Sequence, residues 1–289
     1  MNTLVIEKSA LKNNISRVKE LAGGAYIYAN LSGDGYGAGA LPLAQFLRDE
    51  GIRRFCVDSA QTAAALRKAG LVDEEILMLH STSDREVLEQ LCDLNAVCSI
   101  GTLEAGMALN SLAEGRATVI EAHLQIDCGM GFGGFPAEEP EKIVSLMTAG
   151  ETWDSCLDEI RNLPNVAVSG IYTQLASKHA MDVQLSAFQQ AVDAIQAAGC
   201  ETGIIHAAGS YAMLRSDLSH LDAVRAGSVL LGRCRRTRGD GLLTVGRGES
   251  QVDSIRWLPK GHTVGNERHV TLRRSTRVAV IPVGYQQGY

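Results

Sequence analysis

A glycine-rich turn near the amino terminus carries side chains suited to chemistry. Residues 29–40 read Ala-Asn-Leu-Ser-Gly-Asp-Gly-Tyr-Gly-Ala-Gly-Ala, which places Ser32, Asp34 and Tyr36 among glycines. An apolar, β-prone run precedes the turn, and apolar residues at helical spacing follow it. The pattern predicts a strand, a loop and a helix. In α/β proteins such junctions lie at the carboxyl ends of the strands, where active sites are built.

Arg225 is a second candidate for a functional residue, because an arginine at the end of a predicted strand needs an anionic or acceptor partner. We interpret it as facing a ligand. Lys178 and His179 lie in the loop after another predicted strand, where a solvated lysine is the simplest interpretation. His123 and His206 fall inside strands and are interpreted as hydrogen-bonded core histidines. No set of His, Cys, Asp and Glu residues has the spacing of a metal site.

The glycines at 129, 131 and 134 match the pattern G-x-G-x-x-G of dinucleotide-binding loops. That motif requires an acidic residue in the right strand context about twenty residues further on. None follows here, so the pattern argues against NAD.

Structural roles compete with chemical ones in the glycine-rich turn. Ser32 is equally well explained as a small polar residue of a tight turn. Asp34 is best explained as a cap of the following turn or helix. The ring of Tyr36 is as well explained by packing against the strand ends as by contact with a ligand.

The elements that must position these residues alternate regularly. Helices are predicted between the strands, including one at 139–147 and one at 153–162. Eight parallel strands in βα units favour a closed (β/α)8 barrel, with an open doubly wound sheet as the alternative. The predicted strands are 25–29, 54–57, 76–79, 96–100, 119–127, 166–173, 203–208 and 223–225.

The carboxyl-terminal part differs, because strands are predicted there without helices between them. These strands are 242–245, 251–257 and 276–285, and a short strand at 3–6 opens the chain. We predict three segments: an amino-terminal strand associated with the β domain (1–8), the barrel (9–238) and a partial all-β domain (239–289). The amino-terminal strand or a partner subunit would complete that domain.

Composition excludes several classes of protein. The 289 residues are 45% hydrophobic and 21% charged, as in ordinary globular proteins. A net charge of −6 without a run of Lys and Arg argues against nucleic acid as a partner. No apolar run approaches the roughly 20 residues that cross a membrane. The amino terminus lacks the pattern of a signal peptide, and the seven cysteines show no C-x-x-C pair, so a cytoplasmic location with reduced thiols is expected.

Six short motifs stand out along the chain. They are Asp-Gly-Tyr-Gly-x-Gly-Ala at 34–40, Ile-Asp-Cys-Gly-Met-Gly at 126–131, His-Ala-Ala-Gly-Ser at 206–210, Val-Arg-Ala-Gly-Ser at 224–228, and the segments 258–265 and 283–289. Together and in this order they resemble the motifs of the alanine racemase family. The resemblance implies a (β/α)8 barrel followed by a β domain, pyridoxal phosphate as cofactor, amino-acid racemase (isomerase) chemistry and a homodimer. Racemisation in that family uses a lysine on one face of the substrate α-carbon and a tyrosine of the other subunit on the opposite face.

The resemblance also assigns roles to individual residues. Tyr285 matches the catalytic tyrosine, and Arg225 matches the arginine that faces the pyridine nitrogen of the cofactor. The positions on the phosphate side, where hydroxyls and backbone N–H groups can hold an anion, are matched by Tyr36, Gly209, Ser210, Gly227 and Ser228.

Several family positions carry different residues. Ser32, four residues before Tyr36, stands at the position of the lysine that forms the Schiff base with the cofactor. Gln125, Phe132 and Gln174 stand where the family has a carbamylated lysine, an arginine and a histidine, and Gly209 replaces an asparagine. A serine hydroxyl cannot form an imine. The pattern therefore predicts non-covalent binding of any pyridoxal phosphate.

Two hypotheses about function follow. In the first, the protein is a catalytically silent relative that binds a small amino-acid or phosphate-bearing ligand, or pairs with a competent subunit. In the second, it is an active racemase that interconverts L- and D-alanine or a similar amino acid. A displaced Schiff-base lysine at Lys178 would favour the second. The missing amine at Ser32 favours the first.

Overall fold

The computed structural model describes residues 2–147, 163–176, 180–234, 240–265 and 270–284, except for the side chain at position 145. The chain divides into two compact units. The β unit comprises Met1–Glu7 and Val245–Tyr289, and the barrel unit comprises Lys8–Thr244. The predicted helix at 153–162 lies outside the described residues.

Fifteen strands are assigned in the described ranges, most of them short. They are β1 (Asn2–Ile6), β2 (Tyr26–Asn30), β3 (Arg54–Val57), β4 (Glu75–Met78), β5 (Cys98–Ile100), β6 (Ile120–Asp127), β7 (Phe135–Pro136), β8 (Val166–Thr173), β9 (Ile204–Gly209), β10 (Ala223–Ala226), β11 (Gly246–Ser250), β12 (Ser254–Leu258), β13 (Thr263–Val264), β14 (Val270–Thr271) and β15 (Thr276–Val280).

Helical segments separate most of the strands of the barrel unit. They are α1 (Lys8–Ala22), α2 (Ser32–Tyr36), α3 (Ala40–Asp49), α4 (Ala60–Lys68), α5 (Arg85–Asp93), α6 (Leu103–Gly115), α7 (Pro140–Met147), α8 (Met181–Ala197), α9 (Ser210–Met213) and a 3-10 turn at Asp217–Ser219. No helix in the described ranges is both long and apolar enough to cross a bilayer.

Eight parallel strands form a barrel. Their order in the sheet is β4-β3-β2-β10-β9-β8-β6-β5, and β7 adds to β6. Backbone hydrogen bonds close the ring between β4 and β5, from Met78 N–H to Val97 O at 2.9 Å and from Val97 N–H to Ile76 O at 2.8 Å. The predicted (β/α)8 barrel is confirmed, and the open sheet is wrong.

Local sequence explains where the helices begin. Side chains accept backbone N–H groups of the first turn at three helices: Ser59 at α4, Asp84 at α5 and Thr102 at α6. Such caps satisfy donors that the helix itself leaves open. In α1, Leu11, Ile15 and Val18 are buried at the predicted helical spacing. The helix packs on the barrel through that apolar face.

The β unit contains three two-stranded antiparallel sheets: β1 with β11, β12 with β15, and β13 with β14. In the first of them Asn2 lies opposite Ser250 and Ile6 opposite Gly246. The predicted strand at 276–285 ends at Val280, and the one at 251–257 begins at Ser254.

The strand predicted at 242–245 is wrong. Leu242 and Val245 are buried as a strand pattern requires, but the segment is irregular. The side chain of Asn14 accepts the N–H of Leu243 at 2.8 Å and donates to its carbonyl at 2.8 Å. A side-chain amide thus takes the place of a neighbouring strand, and the ladder starts only at Gly246.

Candidate functional site

Segment α2 is a left-handed turn at the carboxyl end of β2. The backbone φ is 60° at Gly33, 52° at Asp34, 63° at Gly35 and 57° at Tyr36. Left-handed geometry costs about 1–2 kcal/mol for each residue with a side chain. Glycine at every second position therefore makes the turn accessible, and aspartate tolerates it better than most residues. Tyr36 is the residue held under strain.

Side chains outside and inside the turn fix its shape. The N–H of Gly33 donates to the Asp58 carboxylate at 2.7 Å, and Arg233 donates to the Tyr36 carbonyl. Asp34 Oδ1 accepts the N–H of Ala40, the first residue of α3, at 2.7 Å. The predicted capping role of Asp34 is therefore confirmed.

Ser32 is half-buried at the start of the turn and bonds to a neighbour in sequence. Its hydroxyl donates to Asn30 Oδ1 at 2.6 Å, and its backbone N–H donates to the same oxygen at 2.9 Å. The structure thus places a hydroxyl, already hydrogen-bonded, directly after β2. This is the geometry of a tight polar turn.

The barrel brings three of the predicted site residues together. A Cβ atom built on Gly227 would overlap the hydroxyl of Tyr36, so the ring lies directly against the backbone of Gly227. Ser210 Oγ accepts the N–H of Gly227 at 3.0 Å and that of Val229 at 3.3 Å. Burial raises the pKa of the Tyr36 phenol, so it is a neutral donor at neutral pH. Two hydroxyls and a glycine backbone therefore converge on one point.

Gly209 and Ser228 flank that point. A Cβ atom at Gly209 would lie 3.5 Å from Gln174 Nε2. The side chain of Ser228 bonds to the thiol of Cys234, and its backbone N–H has no hydrogen-bonded acceptor among the described residues. The Ser228 N–H is thus an open donor beside the Tyr36 hydroxyl. Such open N–H groups next to glycine are typical of anion sites.

Arg225 is the last residue but one of β10 and is 3% exposed. Its Nη2 donates to the Thr173 carbonyl at 2.6 Å and to Gln174 Oε1 at 3.1 Å, and its Nη1 donates to His206 Nδ1 at 2.7 Å. All of these partners are neutral. Its Nε–H has no acceptor among the described residues. The guanidinium is held rigidly by the barrel and presents one unused donor.

Two histidines continue the network from Arg225. A guanidinium can only donate, so His206 Nδ1 accepts and the ring carries its proton on Nε2. That proton is donated to His123 Nδ1 at 2.9 Å. Burial, and secondly the charge of Arg225, lower the pKa of His123 to about 4 and that of His206 well below its ordinary value. Both rings are therefore neutral at neutral pH.

Aromatic rings enclose this pair. The His206 ring stacks between those of Tyr28 and Tyr172, with centroids 5.4 Å and 5.1 Å away. The interpretation of His123 and His206 as hydrogen-bonded core histidines is therefore correct. Sequence reasoning missed their link to Arg225. The sequence signal that could have revealed this link is that His206 opens the motif 206–210, which ends at Ser210.

The other positions that the resemblance singled out have different surroundings in the structure. Gln125 donates to the Gly133 carbonyl at 2.9 Å and accepts from the Tyr172 hydroxyl at 3.3 Å. Gln174 contacts Arg225, as described above. Phe132, in contrast, is 76% exposed and stands in solvent. Tyr285, Lys178 and His179 lie outside the described residues.

The described residues offer little other reactive chemistry. No group of three His, Cys, Asp or Glu side chains within the described ranges could hold a metal ion. The buried thiol of Cys56 interacts electrostatically with Arg225, and burial raises its pKa to about 12. It is a protonated core residue and not a nucleophile.

Comparison with protein families gives two matches that together span most of the chain. The family model "Alanine racemase, N-terminal domain" matches residues 6–234. The model "Alanine racemase, C-terminal domain" matches residues 245–289.

Similar curated proteins are racemases. An alanine racemase from Carboxydothermus hydrogenoformans is 30% identical over 96% of this chain and 74% of its own length. A broad specificity amino-acid racemase from Pseudomonas taetrolens is 33% identical over 98% of this chain and 68% of its own length. The chain thus spans about three quarters or less of the length of these relatives.

Solved structures share the fold. The alanine racemase of D-cycloserine-producing Streptomyces lavendulae superposes with a TM-score of 0.85 at 21% identity, covering 99% of this chain and 75% of that one. The enzyme of Bartonella henselae, solved with covalently bound pyridoxal phosphate, gives a TM-score of 0.81 at 21% identity, covering 99% and 76%.

Proposed function

This chain belongs to the alanine racemase family, and from that premise we propose that it is a member with a degenerate pyridoxal-phosphate site and impaired or absent racemase activity. The observation that carries the proposal is Ser32. It stands four residues before Tyr36, where the family places its Schiff-base lysine, and its hydroxyl is bonded to Asn30 at 2.6 Å. A hydroxyl cannot form a carbon–nitrogen double bond.

The two ends of the cofactor fit this site differently. The family depends on pyridoxal phosphate. At the phosphate end, Tyr36 and Ser210 supply hydroxyls and Ser228 supplies a backbone N–H, groups that suit an anion, while Gly227 leaves room beside them. At the aldehyde end, the serine offers no amine. We therefore propose that the pocket holds a small phosphate-bearing or amino-acid ligand without a covalent bond.

In this proposal the residues of the chain bind and orient the ligand. Tyr36 and the backbone near Gly227 hold the anionic group. Arg225, kept in place by Thr173 and His206, presents its free Nε–H to the ring or carboxylate of the ligand. Gly209 has no side chain, which leaves room for the ligand beside Gln174.

Proton exchange is the step that this chain is poorly equipped to perform. The proposed tyrosine, Tyr285, would serve one face of the substrate α-carbon. The opposite face lacks the lysine base, and one acid–base group typically contributes about 10²–10⁴-fold to a rate. We therefore expect racemisation by this chain to be slower, by at least that factor, than racemisation by a family member that has the lysine. The homodimer implied by the family belongs to the same proposal, because Tyr285 would act in the partner's pocket.

Purified protein should show no stoichiometric covalent adduct after incubation with pyridoxal phosphate and reduction with borohydride. The expected peptide map has no single lysine fully modified, because no amine occupies position 32. An adduct on the peptide that contains Lys178, together with alanine racemisation, would instead establish the active-racemase alternative. A Lys178→Gln variant tells a functional imine from random surface labelling, since only the loss of a functional imine also abolishes racemisation.

Gly227→Ala should weaken binding of inorganic phosphate and pyridoxal phosphate by about tenfold or more, equivalent to about 1.4 kcal/mol. The new methyl group would overlap the Tyr36 hydroxyl and displace it from the anion site. Isothermal titration calorimetry measures both affinities. Gly115→Ala is the matched control, because a Cβ atom added there would meet no heavy atom of another segment within 4 Å. This variant should bind as the native protein does. Equal affinity in the two variants would contradict the assignment of the phosphate end.

A further inference from the structure

A cavity, here called the lower cavity, lies at the end of the barrel opposite to the candidate site. It is formed by the loops that lead into β4, β5 and β6, and its volume is about 680 Å³. Ser32 and Ser210 follow strands, whereas these loops precede them, so the two sites occupy opposite ends and share no residue. Small-molecule sites typically measure about 300–1,000 Å³.

Carboxylates dominate the lining of this lower cavity. They come from Asp73, Glu74, Glu75 and Glu121. Glu75 already bonds to the Tyr28 hydroxyl and to Arg54 Nε, the latter at 3.0 Å. The other three carboxylates have no ion pair with any described residue.

Glu74 is the unusual member of this group. It is only 6% exposed, yet its carboxylate has no hydrogen bond and no ion pair with any described residue. Among the described residues, Ser169 Oγ is the only side-chain polar atom that has neither solvent access nor a hydrogen-bond partner, so the Glu74 oxygens are not of that kind. The Glu74 oxygens are therefore not fully sealed from solvent, and Glu74 is one of the residues that line the cavity. A buried carboxylate without a partner is costly unless something binds to it.

The two arginines of the cavity already have hydrogen-bond partners. Arg116 pairs with Asp93 at 2.7 Å. Arg67 donates to four backbone carbonyls, those of Leu71, Glu74, Leu94 and Asn95. Burial lowers the pKa of Arg67, and the charge of Glu74 opposes that effect, but the two side chains form no ion pair. Arg67 keeps its positive charge, which acts on Glu74 and Asp73, but one such charge against three carboxylates without an ion pair among the described residues leaves the cavity net negative.

Apolar side chains complete the walls. Val72 and Val119 line the cavity and are 64% and 60% exposed, and Ala96, Val97 and Ile120 lie beside them. A metal ion does not suit these walls, and no three ligating side chains in the described ranges could hold one. We propose that the lower cavity binds an aliphatic diamine or polyamine, with one ammonium group on Glu74 and its methylene chain along Val72 and Val119.

Titration calorimetry of the full chain with spermidine tests this proposal independently of the cofactor site. Native protein should bind one spermidine saturably with a Kd below about 1 mM at low salt. Glu74→Gln, which keeps the shape and removes the charge, should weaken binding about tenfold or more. Glu114→Gln is the control, because it makes the same charge change at an exposed position outside the cavity. It should shift the Kd less than about twofold.

A second variant separates cavity binding from a folding defect. Val72→Trp fills the cavity from an exposed position and leaves every charge in place, so it should also weaken binding about tenfold. Magnesium at matched ionic strength should not displace spermidine. Equal affinities in Glu74→Gln and Glu114→Gln, unchanged binding in Val72→Trp, or displacement by magnesium would each overturn the proposal.

Discussion

A Ser32→Lys variant should bind pyridoxal phosphate covalently, turn yellow, and yield a borohydride-stable adduct on residue 32. The phosphate end of the site, at Tyr36, Ser210 and Gly227, would hold the cofactor while the new amine reaches its aldehyde. Restoring one acid–base group should raise alanine racemisation about 10²–10⁴-fold over the native protein.

The matched control for this experiment is Ser32→Met. Methionine has a similar length and also breaks the hydrogen bond to Asn30, but it carries no amine. It should remain colourless and inactive. An adduct on another lysine in the Ser32→Lys variant, or no adduct at all, would show that position 32 does not face the aldehyde. The geometry proposed for the site would then be wrong.

Acid should destabilise this protein between about pH 6.5 and pH 4. Burial holds the pKa of His123 at about 4 in the folded state, against 6.5 in the unfolded chain. Above pH 6.5 the ring is neutral in both states, so its contribution to stability is complete. As the pH falls through this window, only the unfolded chain gains the proton, and stability is lost.

The expected loss from His123 is about 3 kcal/mol by pH 4, because each pKa unit corresponds to about 1.4 kcal/mol. His206, whose pKa is lowered by the same causes, adds to it. Urea unfolding at pH 7, 5 and 4 measures the slope. His123→Gln should be less stable than the native protein at pH 7, and the difference should shrink as the pH falls.

His80→Gln supplies the control, since His80 is exposed and its removal leaves the buried pair intact. Carboxylates that titrate below pH 5 affect all three proteins alike and cancel in the comparison. If His123→Gln and the native protein lost stability in parallel, the two histidines would not be buried neutral partners of Arg225.

Much of the fold could be predicted because its causes are local. Each barrel strand is a short apolar run between turn residues, and each helix carries an apolar face, as Leu11, Ile15 and Val18 show in α1. The failure at 242–245 has a non-local cause. Asn14, more than two hundred positions earlier in the chain, bonds to Leu243 and takes the place of a neighbouring strand.

The candidate site also has some features with local causes, which the sequence reveals, and others that depend on contacts between distant segments. The order of its motifs, with glycine beside Ser210 and Ser228, was visible in the residues themselves. That Tyr36 meets Gly227 depends on β2 pairing with β10, which occurs only when the barrel closes. The left-handed form of α2 was equally hidden, although the alternating glycines at 33, 35 and 37 are what permit it.

The sequence by itself determined the family, the (β/α)8 architecture and the hydroxyl at position 32, because each depends on residue types at short spacing. Only the tertiary structure decided that neutral groups surround Arg225, since its bond to His206 spans 19 positions and the bond from His206 to His123 spans 83. It also decided that Glu74 is buried without a hydrogen-bonded or ion-paired partner among the described residues. These features arise where distant segments meet, and contacts of that kind follow from the register of the closed barrel.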